Sequence, residues 1–99
     1  MSTPATSVHW WRSPRVAWVA DADRAVLLNL ESNAPQPEEL GGTAAAIWTH
    51  LGTTPLSLDA IVRRLAADYA VEPEAIRSDV QSFLVALGTK GFAESSAAG

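Results

Sequence analysis

The sequence contains no cysteine. That removes disulfides, thiolate nucleophiles and cysteine-ligated metals together, and it fits a reducing compartment, so a cytoplasmic protein is expected. Positive charge is scarce: seven Lys and Arg stand against eleven Asp and Glu, a net charge of −4. Broad phosphate binding needs clustered cations, and these are scattered, so nucleic acid is disfavoured as a partner. No apolar run approaches the roughly 20 residues that cross a bilayer, and residues 1–7 lack the basic start and apolar stretch of a signal peptide. No membrane partner is expected. Histidine occurs twice, at His9 and His50, without metal-ligand spacing. The HExxH, glycine-rich phosphate-loop and GxSxG motifs are missing as well. The carboxylate pairs Asp21/Asp23 and Glu38/Glu39 have no base beside them, and Gly41-Gly42 reads as a joint into a helix rather than an anion cradle. Neither catalysis, a metal nor a cofactor is expected.

What the chain has is hydrophobic patterning. Ninety-nine residues, 47% of them hydrophobic, suit one domain with a modest core. Residues 1–8 and 95–99 are small and polar and read as disordered tails, leaving 9–94 as the folded unit. Residues 15–20, Arg-Val-Ala-Trp-Val-Ala, predict a strand with Val16 and Trp18 on one side. Asp21 to Arg24 is a polar break of hairpin length. Ala25 to Leu30 returns, with Val26, Leu28 and Leu30 on one face and Leu27 and Asn29 on the other. Glu31-Ser32-Asn33 makes a turn. Ala34-Pro35-Gln36-Pro37-Glu38-Glu39-Leu40 then stands where a third strand would complete the sheet. Its prolines lack N–H groups, so it is either an edge strand or an extended polyproline-like loop.

Three helices follow. Thr43 is placed to cap the first, in which Ile47, Trp48 and Leu51 recur at helical spacing, and Gly52 stops it. Ser57 caps the second, whose stripe is Leu58, Ile61, Val62, Leu65 and Tyr69. Pro73 suits the first position of the third, whose face is Ile76, Val80, Phe83, Leu84 and Leu87. Gly88 weakens that helix slightly, and Gly91 is a left-handed cap with Phe92 folding back on Leu87. The pattern implies an α+β, winged-helix-like architecture: an N-terminal antiparallel β-hairpin or three-stranded sheet, then three α-helices. Trp18 and Trp48 fall on apolar faces and are expected in the core. Trp10 and Trp11 either cover one end of the core or meet a partner, packing being favoured. Val85, opposite the stripe of the third helix, marks a possible contact surface. The last two helices have the length order of a helix-turn-helix. The start of the third, however, sets Glu72, Glu74 and Asp79 against Arg77 alone, the wrong charge to face DNA.

Three pieces, taken in order, resemble the PqqD-like domains. These are also called RiPP recognition elements and include PqqD peptide chaperones and lasso-peptide leader-binding proteins. Val26-Leu27-Leu28-Asn29-Leu30-Glu31-Ser32 is similar to the family's second strand and turn. Gly42-Thr43-Ala44-Ala45-Ala46-Ile47-Trp48 is similar to the start of its first helix. Leu58-Asp59-Ala60-Ile61-Val62 through Tyr69, then Glu72-Pro73-Glu74, Asp79-Val80, Phe83-Leu84, Leu87 and Gly91-Phe92, follow its closing pattern. Together they cover residues 15–93.

The resemblance implies a non-enzymatic protein that binds the leader peptide of a ribosomal natural-product precursor. It would present that precursor to a maturation enzyme: a radical SAM protein, a leader peptidase or a cyclase. The leader adds antiparallel to the exposed edge of the third strand, so backbone bonds give affinity. Its side chains enter a groove between that strand and the third helix. Carried over by position, the edge is Gln36, Glu38, Glu39 and Leu40. The groove wall is Arg77, Val80, Gln81 and Leu84, with Arg77 suited to an acidic leader residue. This chain departs from the family in one place, where a proline-broken acidic segment replaces the usual aromatic third strand. Either the leader pairs with Gln36, Glu38 and neighbours on the free side, or this is a PqqD-like interaction subunit with a vestigial groove. From another class, the alternative is a winged-helix DNA-binding regulator.

Overall fold

The computed structural model describes residues 8–21, 23–31, 33–34 and 36–96. The expectations that fall on residues 1–7 and 97–99, and on Ala22, Ser32 and Pro35, lie outside the described residues. Of the expected strands, β2 (Val16–Ala20) and β3 (Arg24–Asn29) form an antiparallel hairpin, with Trp18 opposite Leu27. Asp21 N–H donates to the Arg24 carbonyl (2.9 Å) and Leu30 N–H to the Arg15 carbonyl (2.9 Å), so β3 starts one residue earlier than its apolar pattern. The acidic part of the proline-bearing segment is a strand, β4 (Glu38–Gly41), paired with β3 in the sheet order β2-β3-β4. Alternation along β3 settles the faces: Ala25 and Leu27 are buried, whereas Leu30 is exposed and Val26 and Leu28 half-buried. Leu40, opposite Ala25, joins the buried face.

A second sheet was not expected. β1 (His9–Arg12) lies between β5 (Leu56–Ser57) and β6 (Ala93–Ser95), antiparallel to both. Ser95 therefore belongs to a strand, and Ser96 Oγ accepts from His9 N–H (2.9 Å). Val8 accepts from Leu58 N–H (3.2 Å) through its carbonyl. Hydrogen bonding between segments thus includes Val8 at one end and Ser95 and Ser96 at the other. Each terminal segment is stabilised by pairing with a segment far away in the chain, which local composition does not register.

The helices are α1 (Thr43–His50), α2 (Leu58–Tyr69) and α3 (Pro73–Thr89), so the architecture is α+β, two small antiparallel sheets with three helices. Ser57 Oγ accepts from Ala60 N–H (3.0 Å) and caps α2, and Pro73 opens α3. Thr43 does not cap α1. The N-cap is Gly42 at φ 56°, ψ −126°, a conformation closed to residues with a Cβ, and Thr43 is already helical. Gly91 ends α3 at φ 82°, and a Cβ there would stand 2.6 Å from Asn29 Nδ2. Phe92 N–H returns to the Leu87 carbonyl (2.9 Å), and both side chains are in the core. Gly88 has a packing reason: its Cα faces the Trp10 ring, which a Cβ would meet at 3.4 Å.

The core joins Leu27 and Leu40 of the sheet to Trp48, Ile61, Leu65, Val80, Leu84 and Leu87 of the helices. Trp48 and Trp10 are buried, as expected. Trp18 is not: it is 39% exposed, because β2 is an edge strand and no described element packs beyond it. Its ring lies 4.1 Å over the Arg12 guanidinium and meets Trp48 edge-on at 5.9 Å. Arg12 Nη2 donates to the carbonyls of Trp48 (3.0 Å) and Thr49 (3.4 Å), satisfying acceptors left over at the end of α1. Tyr69, the last residue of the α2 stripe, is 48% exposed, since the chain turns away at left-handed Ala70 (φ 54°).

Candidate functional site

Backbone polarity identifies the open edge of the main sheet. Gly42 N–H donates to the Asp23 carbonyl (3.0 Å), and Ala25 and Leu27 stand opposite Leu40 and Glu38. In an antiparallel pair the bonding direction alternates residue by residue. Glu38 and Leu40 therefore turn their N–H and C=O groups toward β3, while Glu39 and Gly41 turn theirs away from the sheet. Pro37 continues the outward set without an N–H. The expected pairing through Gln36 and Glu38 is thus displaced by one residue: the outward donors are on Glu39 and Gly41.

Side chains follow the same alternation. Gln36, Glu38 and Leu40 share the face that looks toward the helices. Leu40 is buried, and Glu38 Oε2 is bridged by Lys90 Nζ (3.1 Å) from the end of α3. Gln36 and Glu38 line a surface cavity of about 370 Å³ with Asn29, Ala34, Lys90 and Phe92. Asn29 ties the two walls together: its Nδ2 donates to the Lys90 carbonyl (3.2 Å), and its Oδ1 accepts from Glu31 N–H (2.9 Å). Glu39, on the other face, pairs with Arg24 (3.0 Å).

Lys90 identifies the flank of α3 that faces β4. Steps of three, four and seven residues from it reach Ala86, Phe83, Asp79 and Ile76 on one side of the helix. Phe83 and Ile76 are half-buried and pack on the core margin, so they offer apolar surface there. The expected wall residues lie elsewhere. Val80 and Leu84 have 0% exposure and present no surface to a ligand. They form the centre of the buried stripe. Arg77 and Gln81 lie on the opposite flank, with Gly88 and Val85, toward α2 and the β1–β6 sheet.

Arg77 is also occupied. Its Nη2 donates to Asp59 Oδ1 (2.8 Å) and its Nε to Glu74 Oε1 (3.0 Å). The hydrogen bond to Asp59, then that to Glu74, hold the guanidinium pKa above its ordinary value. Asp59, bonded by Arg77 and paired also with Arg63, is held below its ordinary 3.8. This cluster joins α2 to α3 through two of the three guanidinium nitrogens, and Nη1 is buried without a hydrogen-bond partner. The helical period of α3 shows the stripe; which of its margins faces β4 depends on the Lys90–Glu38 contact. Phe83 was legible as a marginal position, but which flank of the stripe it takes was not.

Another surface cavity, about 550 Å³, lies between β1, β6 and α3, lined by Trp10, Trp11, Val85, Gly88 and Glu94 among others. Trp11 Nε1 donates to Glu94 Oε1 across it (3.0 Å). Among the described residues, no group of His, Cys, Asp or Glu is arranged to hold a metal ion, and no helix is long and apolar enough to cross a membrane.

A family model described as coenzyme PQQ synthesis protein D (PqqD) matches residues 24–93. A solved structure, "TbiB1 in Complex with the TbiA(beta) Leader Peptide", is similar to this fold with a TM-score of 0.73 and 27% sequence identity. The similarity covers 85% of this chain and 94% of that one. No curated protein sequence matches this chain.

Proposed function

Because the chain belongs to the PqqD family, we propose that it is a leader-peptide-binding protein, a RiPP recognition element. It binds a ribosomal natural-product precursor by strand addition and presents it to a maturation enzyme. The observation that carries this is the outward Glu39 and Gly41 backbone on an edge strand, beside the cavity lined by Gln36, Glu38, Asn29 and Lys90. The similar TbiB1 structure is itself a leader complex. An incoming strand bonds Glu39 and Gly41, and its alternate side chains meet Phe83, Ile76 and Ala86 on α3. The protein itself supplies binding rather than catalysis, and it works in the cytoplasm, where a radical SAM protein, leader peptidase or cyclase acts on the bound precursor.

Two features tune the site. Pro37 removes the next outward donor, so the edge offers two N–H groups rather than a longer ladder. The Glu38–Lys90 pair spans the groove mouth, and as an exposed ion pair it contributes only about 0–1 kcal/mol. It opens easily. Titration of ¹⁵N-labelled protein with the precursor's leader peptide tests the reading. Saturating amide shifts at Glu39, Gly41 and along Phe83 to Lys90 are expected. A well-folded protein that shows no shifts, or shifts confined to the Trp11–Val85 cavity, would sink it in favour of an interaction subunit with a vestigial groove.

A further inference from the structure

The second sheet brings an indole and a carboxylate together away from the β4 edge. Trp11 and Glu94 stand opposite one another in the β1–β6 ladder, so their side chains lie on the same face, and Trp11 Nε1 donates to Glu94 Oε1 (3.0 Å). Beside them Trp10, Ala93 and Val85 supply apolar wall to the cavity of about 550 Å³. Val85 is 51% exposed there. Among the described residues lining this cavity, Glu94 carries the only charge. A carboxylate accepts from several donors at once, so Glu94 can take a second beside the Trp11 N–H. Indole walls with one exposed carboxylate suit a basic side chain: its stem lies on the apolar wall, and its charged head meets the rings and Glu94. Arginine fits best, because its flat guanidinium stacks on indole and also donates in a fork.

Position in the fold indicates where such a side chain comes from. This cavity and the one beside β4 lie on two sides of a single turn: Thr89 and Ala93 line the first, Lys90 and Phe92 the second. A leader antiparallel to β4 runs from Gly41 toward Glu38, so its C-terminal end leaves the sheet beside Gln36, Lys90 and Phe92. One helix diameter of about 10 Å then separates it from the Trp11 cavity, a span that about three or four extended residues cover. We propose that the leader continues over the Lys90–Gly91 turn and sets a basic side chain, a few residues after its edge-paired segment, against Trp11 and Glu94. The inference rests on the leader reading above and adds a second contact to it. Charge favours this occupant over a second copy of the chain, which at a net charge of −4 would bring a like-charged surface to Glu94. Trp11 and Glu94 both lie outside residues 24–93, the span that the PqqD family model matches, so the contact belongs to the β1–β6 pairing of this chain. Once the edge is filled, the downstream residue is tethered close to the cavity, and even a weak contact there raises the affinity of the whole leader.

The test uses Glu94→Gln, which keeps an acceptor for the Trp11 N–H but removes the charge, and Val85→Arg, which sets a cation in the cavity from an exposed helix position. The probes are the precursor's full leader, the same leader ending at its last edge-paired residue, and the full leader with its downstream Lys or Arg replaced by Ala. Full-leader Kd is expected to rise about fivefold in either variant, and the truncated leader to bind wild type and both variants within about twofold. The alanine leader is expected to lose the same factor on wild type and nothing further on Glu94→Gln. In ¹⁵N spectra the Trp11 indole N–H is expected to shift with the full leader and to stay with the truncated one. A full leader that pairs with Glu39 and Gly41, yet binds both variants as tightly as wild type, overturns the second contact and leaves the leader reading intact. A leader that fills the edge with no Lys or Arg downstream does the same. Wild-type protein that binds neither peptide removes the leader reading, and this contact with it. Variants that weaken the truncated and full leaders alike act on the edge or the fold, which overturns the proposal. A wild-type dimer that Val85→Arg dissociates, with leader affinity unchanged, assigns the cavity to self-association and overturns it too.

Discussion

Gly91 and Asp59 show how much a single residue can carry in a chain this short. Gly91 sits at φ 82° with Asn29 packed against the place a Cβ would take. Gly91→Ala adds a left-handed strain of about 1–2 kcal/mol and displaces the Asn29 amide that ties the hairpin to α3. Urea denaturation is expected to show a loss of at least that size; an unchanged midpoint would mean Asn29 moves aside freely. Asp59 acts through charge. Its folded pKa lies below the ordinary 3.8 because Arg77, then Arg63, favour the carboxylate. The stabilisation is complete above the unfolded value and is lost as pH falls through the lower folded value. Asp59→Asn is therefore expected to lower Tm at pH 7, with the gap to wild type closing as pH drops below about 4. A gap of constant size from pH 7 to pH 2 would assign the loss to packing instead.

At the level of elements, the two sides of β4 differ in where their backbone groups point. The Glu38 backbone bonds inward to β3 and that of Glu39 points outward, although the two residues are adjacent and chemically identical. Proline substitution separates them, since it deletes one N–H at a known side of the strand. Glu39→Pro is expected to leave Tm within a few degrees and to weaken leader binding about tenfold, the loss of one backbone bond of about 1–1.5 kcal/mol. Glu38→Pro removes a bond to β3 and is expected to cost stability first. Calorimetry of unfolding beside leader titration distinguishes them; equal effects of both on Tm would place the register elsewhere. The groove flank on α3 belongs to this scale too. Phe83→Ser is expected to weaken leader binding, whereas Gln81→Ala, on the opposite flank, should not.

For the molecule as a whole, the second sheet closes the fold. β1 and β6 come from opposite ends of the chain, with Trp10 opposite Ser95 and Arg12 opposite Ala93. Arg12 then stitches this sheet to the end of α1 and lies under Trp18 of the other sheet. Truncation after Phe92 removes β6, uncovers Trp10 and leaves β1 with a two-residue partner. A large drop in Tm is expected by circular dichroism, with Trp10 becoming accessible to a fluorescence quencher. Retention of wild-type Tm would show that β1 is held by packing on Gly88 alone.

Patterning along the chain was enough to determine the α+β class, the β2–β3 hairpin, the three helices, the Ser57 and Gly91 caps and the family, because each depends on neighbours within a few residues. Period two and period 3.6 are local signals, and a left-handed cap or a serine cap is decided by the residues beside it. Tertiary structure alone decided the β1–β5–β6 sheet, the register that turns Glu39 outward and Glu38 inward, which margin of the α3 stripe lies toward β4, and the exposure of Trp18. Those follow from which segment lies beside which. A one-residue shift in β4 would exchange its two faces, and setting β4 along the other margin of the α3 stripe would exchange Phe83 for Gln81. Neither alternative changes the hydrophobic pattern, so only the packed chain distinguishes them.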